Sequence, residues 1–245
     1  FGGIQEMYNI VSKLLIYGDM DEESILMQLS DIFRCMDEGS QTKDVLRTRV
    51  FKQVKRILEV ATDYAFDKNL WHNYLTYLLI TNENPFSITC EKVGASEGSV
   101  NHFAKSDFKA FKELFDFDFS RIEDELGVDC FSRSTVKKAI GKPELMYNKN
   151  VSEKVQALSE RLETAKDENE FFAMVTDFYK AYGVGMFGLN KAFRIEECGD
   201  NNIRFRAINN MDKVVLSDLV GYEIQKQKLV ENTEAFVEGR KANNV

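Results

Sequence analysis

Apolar side chains recur every three to four residues along most of this chain, a spacing that places them on one face of an α-helix. Residues 22–36 show this best, with Ile25, Leu26, Leu29, Ile32, Phe33 and Met36 on a single face. We expect Asp19 or Asp21 to cap that helix and Gly39 to end it. The pattern, with only two prolines, predicts a mainly α protein. Further helices are expected at 43–67, 69–80, 99–115, 120–126, 152–166 and 167–182.

The apolar period changes from about four to two after residue 182. Phe193 and Ile195, then Ile203, Phe205 and Ala207, alternate with polar residues on either side of a turn-rich segment, 199–202. This alternation predicts a small β-hairpin. A Gly-Lys-Pro sequence at 141–143 predicts a domain joint near 148–150. We therefore expect a helical N-terminal domain over 1–147, a helical pair plus the hairpin over 148–210, and a third region over 211–245.

Composition narrows the classes of function. The chain has 32 basic and 40 acidic residues, a net charge of −8, which disfavours nucleic acid and anionic membrane as partners. It contains no long apolar run, signal peptide or lipidation motif, so we expect a cytoplasmic protein with no membrane partner. The four cysteines (Cys35, Cys90, Cys130, Cys198) and two histidines (His72, His102) lack zinc-site spacing, so free thiols and no metal site are expected.

The most informative stretch is residues 214–245. A short apolar run leads into Asp218-Leu219-Val220-Gly221, and a polar helix follows with Tyr222, Leu229 and Phe236 at seven-residue spacing and Val230 and Val237 beside them. That spacing predicts one apolar stripe on the helix. After Gly239 come two basic residues, an alanine, Asn243, Asn244 and Val245, which resembles the start of another strand.

This order of residues resembles the entry to AAA+ ATPases, in particular a bacterial family of ATP-binding proteins known as domain of unknown function 815. Weaker similarity extends upstream to Asn84-Pro85-Phe86, to 183–189 and to 192–194. The resemblance implies a G-x-x-G-x-G-K-[ST] phosphate loop and bound ATP and Mg²⁺ in the full-length protein. No such loop occurs in these 245 residues, so we expect no ATPase activity and no bound cofactor here. It also implies that Leu219, Val220 and Gly221 line the adenine pocket, with no catalytic residue among them.

The fold expected from this resemblance is mainly α: a multi-helix N-terminal domain, a small β-hairpin and the truncated start of an α/β AAA+ core. Because the chain starts at Phe1 and ends at Val245, we expect it to be trimmed at both ends. Its expected role is an N-terminal partner-binding or regulatory region of a cytoplasmic AAA+ ATP-binding protein. The partner is an unidentified protein, and self-association into a homo-oligomer is a second expectation. A stand-alone helical scaffold, in which 218–221 is only a turn, stays open as an alternative.

A DNA-binding module is the second alternative. Residues 88–114 resemble the helix-turn-helix of bacterial repressors. In this alternative Ser99, Asn101 and His102 face base edges, and Lys105 and Lys109 contact phosphates. Acidic residues beside this helix oppose the phosphate backbone. The same helix also carries apolar residues at core spacing, so it can equally be a packing helix.

Three further motifs have ordinary structural explanations. The segment 183–188 matches G-x-G-x-x-G but follows a predicted helix, so we expect a glycine helix end rather than a dinucleotide site. The basic side chains between Arg47 and Arg56 fall opposite the apolar face of their helix and are expected to be solvated. In Phe115-Asp116-Phe117-Asp118-Phe119, the phenylalanines predict an extended joint with an inward aromatic side.

Overall fold

A computed structural model describes residues 6–94, 98–133, 149–190, 192–197, 203–207 and 216–243. Helices dominate, so the predicted fold class, mainly α, is confirmed. They are α1 (Met7–Val11), α2 (Ile25–Glu38), α3 (Lys43–Asp63), α4 (Leu70–Thr81), α5 (Pro85–Val93), α6 (Ser99–Phe115), α7 (Ser120–Leu126), α8 (Cys130–Arg133), α9 (Lys149–Glu163), α10 (Glu168–Tyr182), α11 (Gly185–Leu189) and α12 (Glu223–Val237). A 3-10 turn spans Leu216–Asp218.

The chain divides into two compact units, Phe1–Asn209 and Asn210–Val245. The joint predicted near 148–150 lies partly outside the described residues, and the three predicted regions stay a prediction. Directly after the undescribed residues 134–148, α9 packs against both α4 and α10.

Local capping determines where the main helices begin. Ser24, Thr42 and Asn69 accept the N–H groups of Met27, Val45 and His72 at the starts of α2, α3 and α4. The expected cap of α2 by Asp19 or Asp21 is therefore wrong, because the helix starts later than predicted and Ser24 is the residue in register with its first turn. Gly39 ends α2 in the left-handed conformation, as expected.

The most apolar helix, α4, lies at the centre of the first unit. It packs against α3, α6, α9 and α11, and nearly all of its side chains are buried. Because a helix that is apolar around its whole circumference must be covered on all sides, α4 determines how the surrounding helices are arranged. The other pairs, α2 with α3 and α10 with α5 and α6, each bury one apolar face.

A fully buried carboxylate, that of Asp107 on α6, organises the segment between α1 and α2. Asp107 accepts the backbone N–H of Leu15 at 2.9 and 3.1 Å and that of Tyr17 at 2.9 Å. Burial raises the pKa of Asp107, and these N–H donors act in the opposite direction. The carboxylate thus replaces water as the partner of a buried loop backbone, which would otherwise be costly to desolvate.

The same segment begins a buried chain of hydroxyl groups. The Tyr17 hydroxyl lies 2.6 Å from the Tyr179 hydroxyl, which donates to the carbonyl of Leu79 at 2.7 Å. Since the Tyr179 proton points to Leu79, Tyr17 is the donor in the first bond. Burial raises the pKa of both phenols. This chain connects the α1–α2 segment to α10 and α4.

The predicted hairpin is confirmed. Strands β1 (Phe193–Glu197) and β2 (Ile203–Ala207) pair antiparallel, with Phe193 opposite Ala207 and Ile195 opposite Phe205. The ring of Phe187 on α11 contacts those of Phe193 and Phe205 at centroid distances of 4.9 and 5.6 Å. No helix in the described residues is long and apolar enough to span a membrane.

We expect Asp107→Ala to destabilise the first unit by about 2–4 kcal/mol, because it removes the acceptor of the buried N–H of Tyr17 and of the part-buried N–H of Leu15. Urea unfolding followed by circular dichroism measures this difference. Asp116→Ala is the matched control, since Asp116 is exposed and pairs only with Lys112 at the surface, and it should cost under about 0.5 kcal/mol. Equal losses in both variants would contradict the role of Asp107.

We expect α12 to exchange its amide hydrogens faster than α3. Among the described residues of α12 only Ala235 is buried, whereas α3 buries Ile57 and Ala61, and most helix stability comes from packing. Hydrogen exchange read by mass spectrometry compares residues 225–237 with residues 57–63 in one sample. Equal protection of both segments would show that α12 is stabilised as firmly as a core helix.

Candidate functional site

The predicted nucleotide-contact segment is an exposed turn in the second unit. Leu219 and Val220 follow the 3-10 turn Leu216–Asp218 and are 47 and 95% exposed. Gly221 then has φ +84° and Tyr222 has φ 58°, so two successive residues with positive φ reverse the chain into α12. Glycine takes this conformation without strain. Leu219, Val220 and Gly221 are thus contiguous and accessible, and their assignment to an adenine pocket stays a prediction.

Lys226, one turn into α12, holds this segment in place. Its ammonium group donates to the carbonyl of Leu219 at 2.8 Å and pairs with Glu223 at 2.7 Å. The Tyr222 carbonyl accepts the backbone N–H of the same lysine at 2.9 Å. The sequence did not single out Lys226, because a lysine on the polar face of a helix is normally exposed to solvent. Its spacing of seven residues from Leu219 becomes a contact only because the chain reverses at Gly221.

Of the apolar stripe predicted on α12, Leu229, Val230, Phe236 and Val237 lie on the helix, whereas Tyr222 precedes it with a left-handed backbone. Tyr222 and Phe236 are 71 and 74% exposed, and Leu229, Val230 and Val237 are exposed as well. At the far end, the Asn232 side chain donates to the carbonyl of Asn243 at 2.7 Å and accepts its N–H at 2.8 Å. The segment after α12 therefore folds back along the helix, while the apolar side chains face solvent.

The chemistry available in this unit is recognition. Its exposed apolar side chains and reversed backbone can contact a flat apolar surface, for example the face of an aromatic base. Across the whole described part of the chain, no group of three His, Cys, Asp or Glu side chains is arranged to hold a metal ion.

A second candidate site, missed by sequence reasoning, is a cavity of about 270 Å³ in the first unit. It lies where the first turn of α4 meets the α6–α7 connection, α7 and α8. Six rings line it: Trp71, His72, Phe115, Phe117, Phe119 and Phe131. The ring of Phe119 stacks on that of Phe131 at 4.0 Å and meets Trp71 edge-on at 5.1 Å. We call this space the aromatic cavity.

Hydrogen bonds fix the polar groups of the aromatic cavity. The Nε2–H of His72 donates to the carbonyl of Phe115 at 2.6 Å, and its Nδ1 lies 2.9 Å from the side-chain nitrogen of Asn69. Asp118 accepts the N–H and the hydroxyl of Ser120 at 2.9 and 2.8 Å, which lowers the pKa of its carboxyl. Glu123 accepts the N–H of Phe131 at 2.7 Å.

The alternating segment 115–119 supplies much of this lining. Its phenylalanines turn inward and its aspartates are exposed, so the predicted inward aromatic side is confirmed. The sequence signal for a cavity was present in the Phe-Asp alternation. Its partners on α4 and α8 could not be identified from spacing, because they are distant along the chain.

The proposed recognition helix of the DNA alternative is α6. Ser99, His102 and Lys109 are exposed and Asn101 is half-buried, but the Lys105 ammonium lies over the ring of Phe172 at 5.1 Å. The other face of α6 is core, with Phe108 and Phe111 fully buried. The packing interpretation is therefore confirmed for Ala104, Phe108, Phe111 and Phe115 and wrong for Val100 and Phe103, which are 40 and 41% exposed. DNA binding is untested.

The remaining motifs take structural roles. Gly183 ends α10 with φ +79°, and its N–H reaches the carbonyl of Tyr179 at 2.9 Å, so the predicted glycine helix end is confirmed. The short α11 follows it and precedes β1, where a tight connection was expected. Among the basic residues of α3, Arg49 pairs with Asp31 at 2.7 Å and Arg47 donates to the carbonyl of Leu126 at 2.9 Å.

Three cysteines lie within the described residues, and all three are free thiols. Burial raises the pKa of Cys90 and that of Cys130, each to about 11, so both stay protonated at neutral pH and are poor nucleophiles. Cys198 lies outside the described residues.

Comparison with known proteins bears on the second unit and the hairpin. A family model described as "Protein of unknown function (DUF815)" matches residues 188–245. No curated protein and no solved structure matches the chain. The matched residues include the hairpin, Leu219–Gly221 and α12, whereas Asn84–Phe86 and residues 183–187, which carry the weaker upstream similarity, lie outside them. The similarity to this family that the sequence predicted is therefore found at residues 188–245.

Proposed function

We propose that this chain is the N-terminal partner-binding or regulatory region of a cytoplasmic AAA+ ATP-binding protein. In this proposal the helices of the first unit form the regulatory module. The turn at Leu219–Gly221 lines the adenine pocket of the ATP-binding core, with Mg²⁺ and the phosphates held by other residues of that core. The observation that carries the proposal is the exposed apolar turn and helix stripe inside the segment that matches DUF815.

Exposure of this kind supports a contact surface. Large apolar side chains are normally buried, and a run of exposed ones indicates a surface that a ligand or a packed domain covers. Here Val220, Tyr222, Ile224, Phe236 and Val237 are each at least two-thirds exposed. An adenine ring packs on apolar side chains while nearby backbone groups form hydrogen bonds with its edge. At Gly221 the space beside the backbone is open: apart from its chain neighbours, no atom lies within 4 Å of the position that a Cβ atom would take.

The first unit suits an interaction role better than a catalytic one. Several of its ionisable groups are bound to structural partners, including the Asp107 carboxylate and the Arg49–Asp31 pair. Its partner is proposed to be a protein, and a homo-oligomer is a further proposal. DNA binding is the weaker alternative, because Lys105, one of the two lysines assigned to phosphates, packs on Phe172.

This chain by itself should not bind Mg²⁺–ATP more tightly than about 10 µM, because phosphate and magnesium contacts supply most nucleotide recognition in P-loop proteins. Its 245 residues contain no G-x-x-G-x-G-K-[ST] sequence. Isothermal titration calorimetry with Mg²⁺–ATP measures this, with Mg²⁺–GTP as the comparison nucleotide. Tight binding would reveal a nucleotide site made by the residues present here.

In the full-length protein, we expect Val220→Asp to raise the KM for ATP about ten-fold and to leave kcat unchanged, because a charge in the pocket weakens base binding without touching the reacting phosphates. Steady-state ATPase assays separate the two constants. Val93→Asp is the control, since Val93 is 70% exposed on α5. A fall in kcat with no change in KM, or equal effects of both variants, would remove the adenine-pocket assignment.

A further inference from the structure

The aromatic cavity has walls that attract positive charge. Trp71 and four phenylalanines line it, and the faces of such rings carry partial negative charge that attracts ammonium and guanidinium groups. Several rings around one space, as here, are the arrangement that recognises organic ammonium ions. The walls therefore favour a cation with an apolar body over a purely polar ligand.

The ionic side chains of the aromatic cavity have the same preference. Asp118 and Glu123 line it, and among the described residues no lysine or arginine belongs to its lining. The hydrogen bonds from Ser120 keep the pKa of Asp118 low, so this carboxylate is charged at neutral pH. A third carboxylate, that of Glu163, lies 3.8 Å from Nδ1 of His72. An anion entering this space would meet negative charge.

The backbone donors at the edge of the aromatic cavity are already used. The N–H groups of Phe131 and Ser132, which begin α8, donate to Glu123 at 2.7 and 2.9 Å, and the N–H of Ser120 donates to Asp118. Helix N-termini often attract phosphate or carboxylate ligands through such groups. Here protein carboxylates hold these positions, which excludes the usual anion-binding arrangement.

The volume limits the ligand to a small group. At about 270 Å³ the aromatic cavity is just below the range of roughly 300–1,000 Å³ that is typical of pockets for drug-sized molecules. It is too small for a whole nucleotide, but it has room for an ammonium group with a short apolar body.

We propose that the aromatic cavity binds an organic ammonium ion, held by cation–π contacts to its rings and by the carboxylates of Asp118 and Glu123. The ammonium group belongs either to a small molecule or to a methylated lysine side chain. The two sources share the same chemistry. This site is in the first unit and its argument does not depend on ATP binding, so it can succeed or fail separately from the function proposed above.

The chain contains one tryptophan, and it lines the aromatic cavity, so the fluorescence of Trp71 reports directly on the site. We expect benzyltrimethylammonium to change this fluorescence saturably. The uncharged benzyl alcohol and the anionic benzoate should bind at least about five-fold more weakly, because they lose the cation–π and ionic contacts. A peptide containing trimethyllysine, titrated in parallel, identifies the source of the ammonium group. Tighter binding of benzyltrimethylammonium indicates a small molecule, and tighter binding of the peptide indicates a protein partner.

Asp118→Asn should weaken binding of benzyltrimethylammonium about five-fold or more, since it removes one charge and keeps an oxygen for Ser120. Asp116→Asn is the matched control, two residues away in the same segment but outside the lining. Glu123→Gln gives a second, independent test, and circular dichroism verifies folding. Equal affinity for the cation and benzyl alcohol, equal affinities of the Asp118→Asn and Asp116→Asn variants, or no saturable change with either cation would overturn the proposal.

Discussion

The buried carboxylate of Asp107 is the interaction on which the first unit most depends. The non-helical segment between α1 and α2 places Leu14 and Tyr17 in the core, and backbone N–H groups buried there need partners. Asp107 provides them for Leu15 and Tyr17. Once Tyr17 is fixed, its hydroxyl bonds Tyr179, which bonds Leu79. One acidic residue on α6 thus aligns the start of the chain with α10 and α4.

The position of α4 explains why a cavity exists beside a close-packed core. Its first turn carries Trp71 and His72, whose ring N–H groups donate to the last carbonyls of α6, those of Leu114 and Phe115. The chain leaves α6 there and continues as an alternating Phe-Asp segment. The phenylalanine rings of this segment pack against the core, because they are apolar, while its carboxylates stay exposed to solvent. The result is a space with aromatic walls and an acidic edge.

The second unit is organised differently. Its helix buries almost nothing among the described residues, and its N-terminal turn is held by a lysine and two residues with positive φ. Such an element is suited to contact something else. The DUF815 match falls on this part of the chain, while most of the first unit lies outside it. This distribution fits a recognition element joined to a separate helical module.

The sequence alone was sufficient for the elements whose signal is local. The apolar periodicity of α2, the alternation at Phe193–Ala207, and the glycines that end α2 and α10 predicted structure correctly, because these signals depend only on residues close together in the chain. It also identified the similarity to DUF815 near the C-terminus. The error at Asp19 or Asp21 was local too, since several polar residues precede α2 and only helix register selects Ser24.

Tertiary structure decided everything that joins distant residues. Nothing in the sequence around Asp107 distinguishes it from an aspartate at the surface. Only the path of the chain brings the backbone of Leu15, 92 residues away, within hydrogen-bond distance. The aromatic cavity likewise needs α4, α7 and α8 to meet, and Lys226 reaches Leu219 only after the reversal at Gly221. Local patterns state which side chains must leave water. They do not state which partners those side chains meet, because that depends on how all the helices pack together.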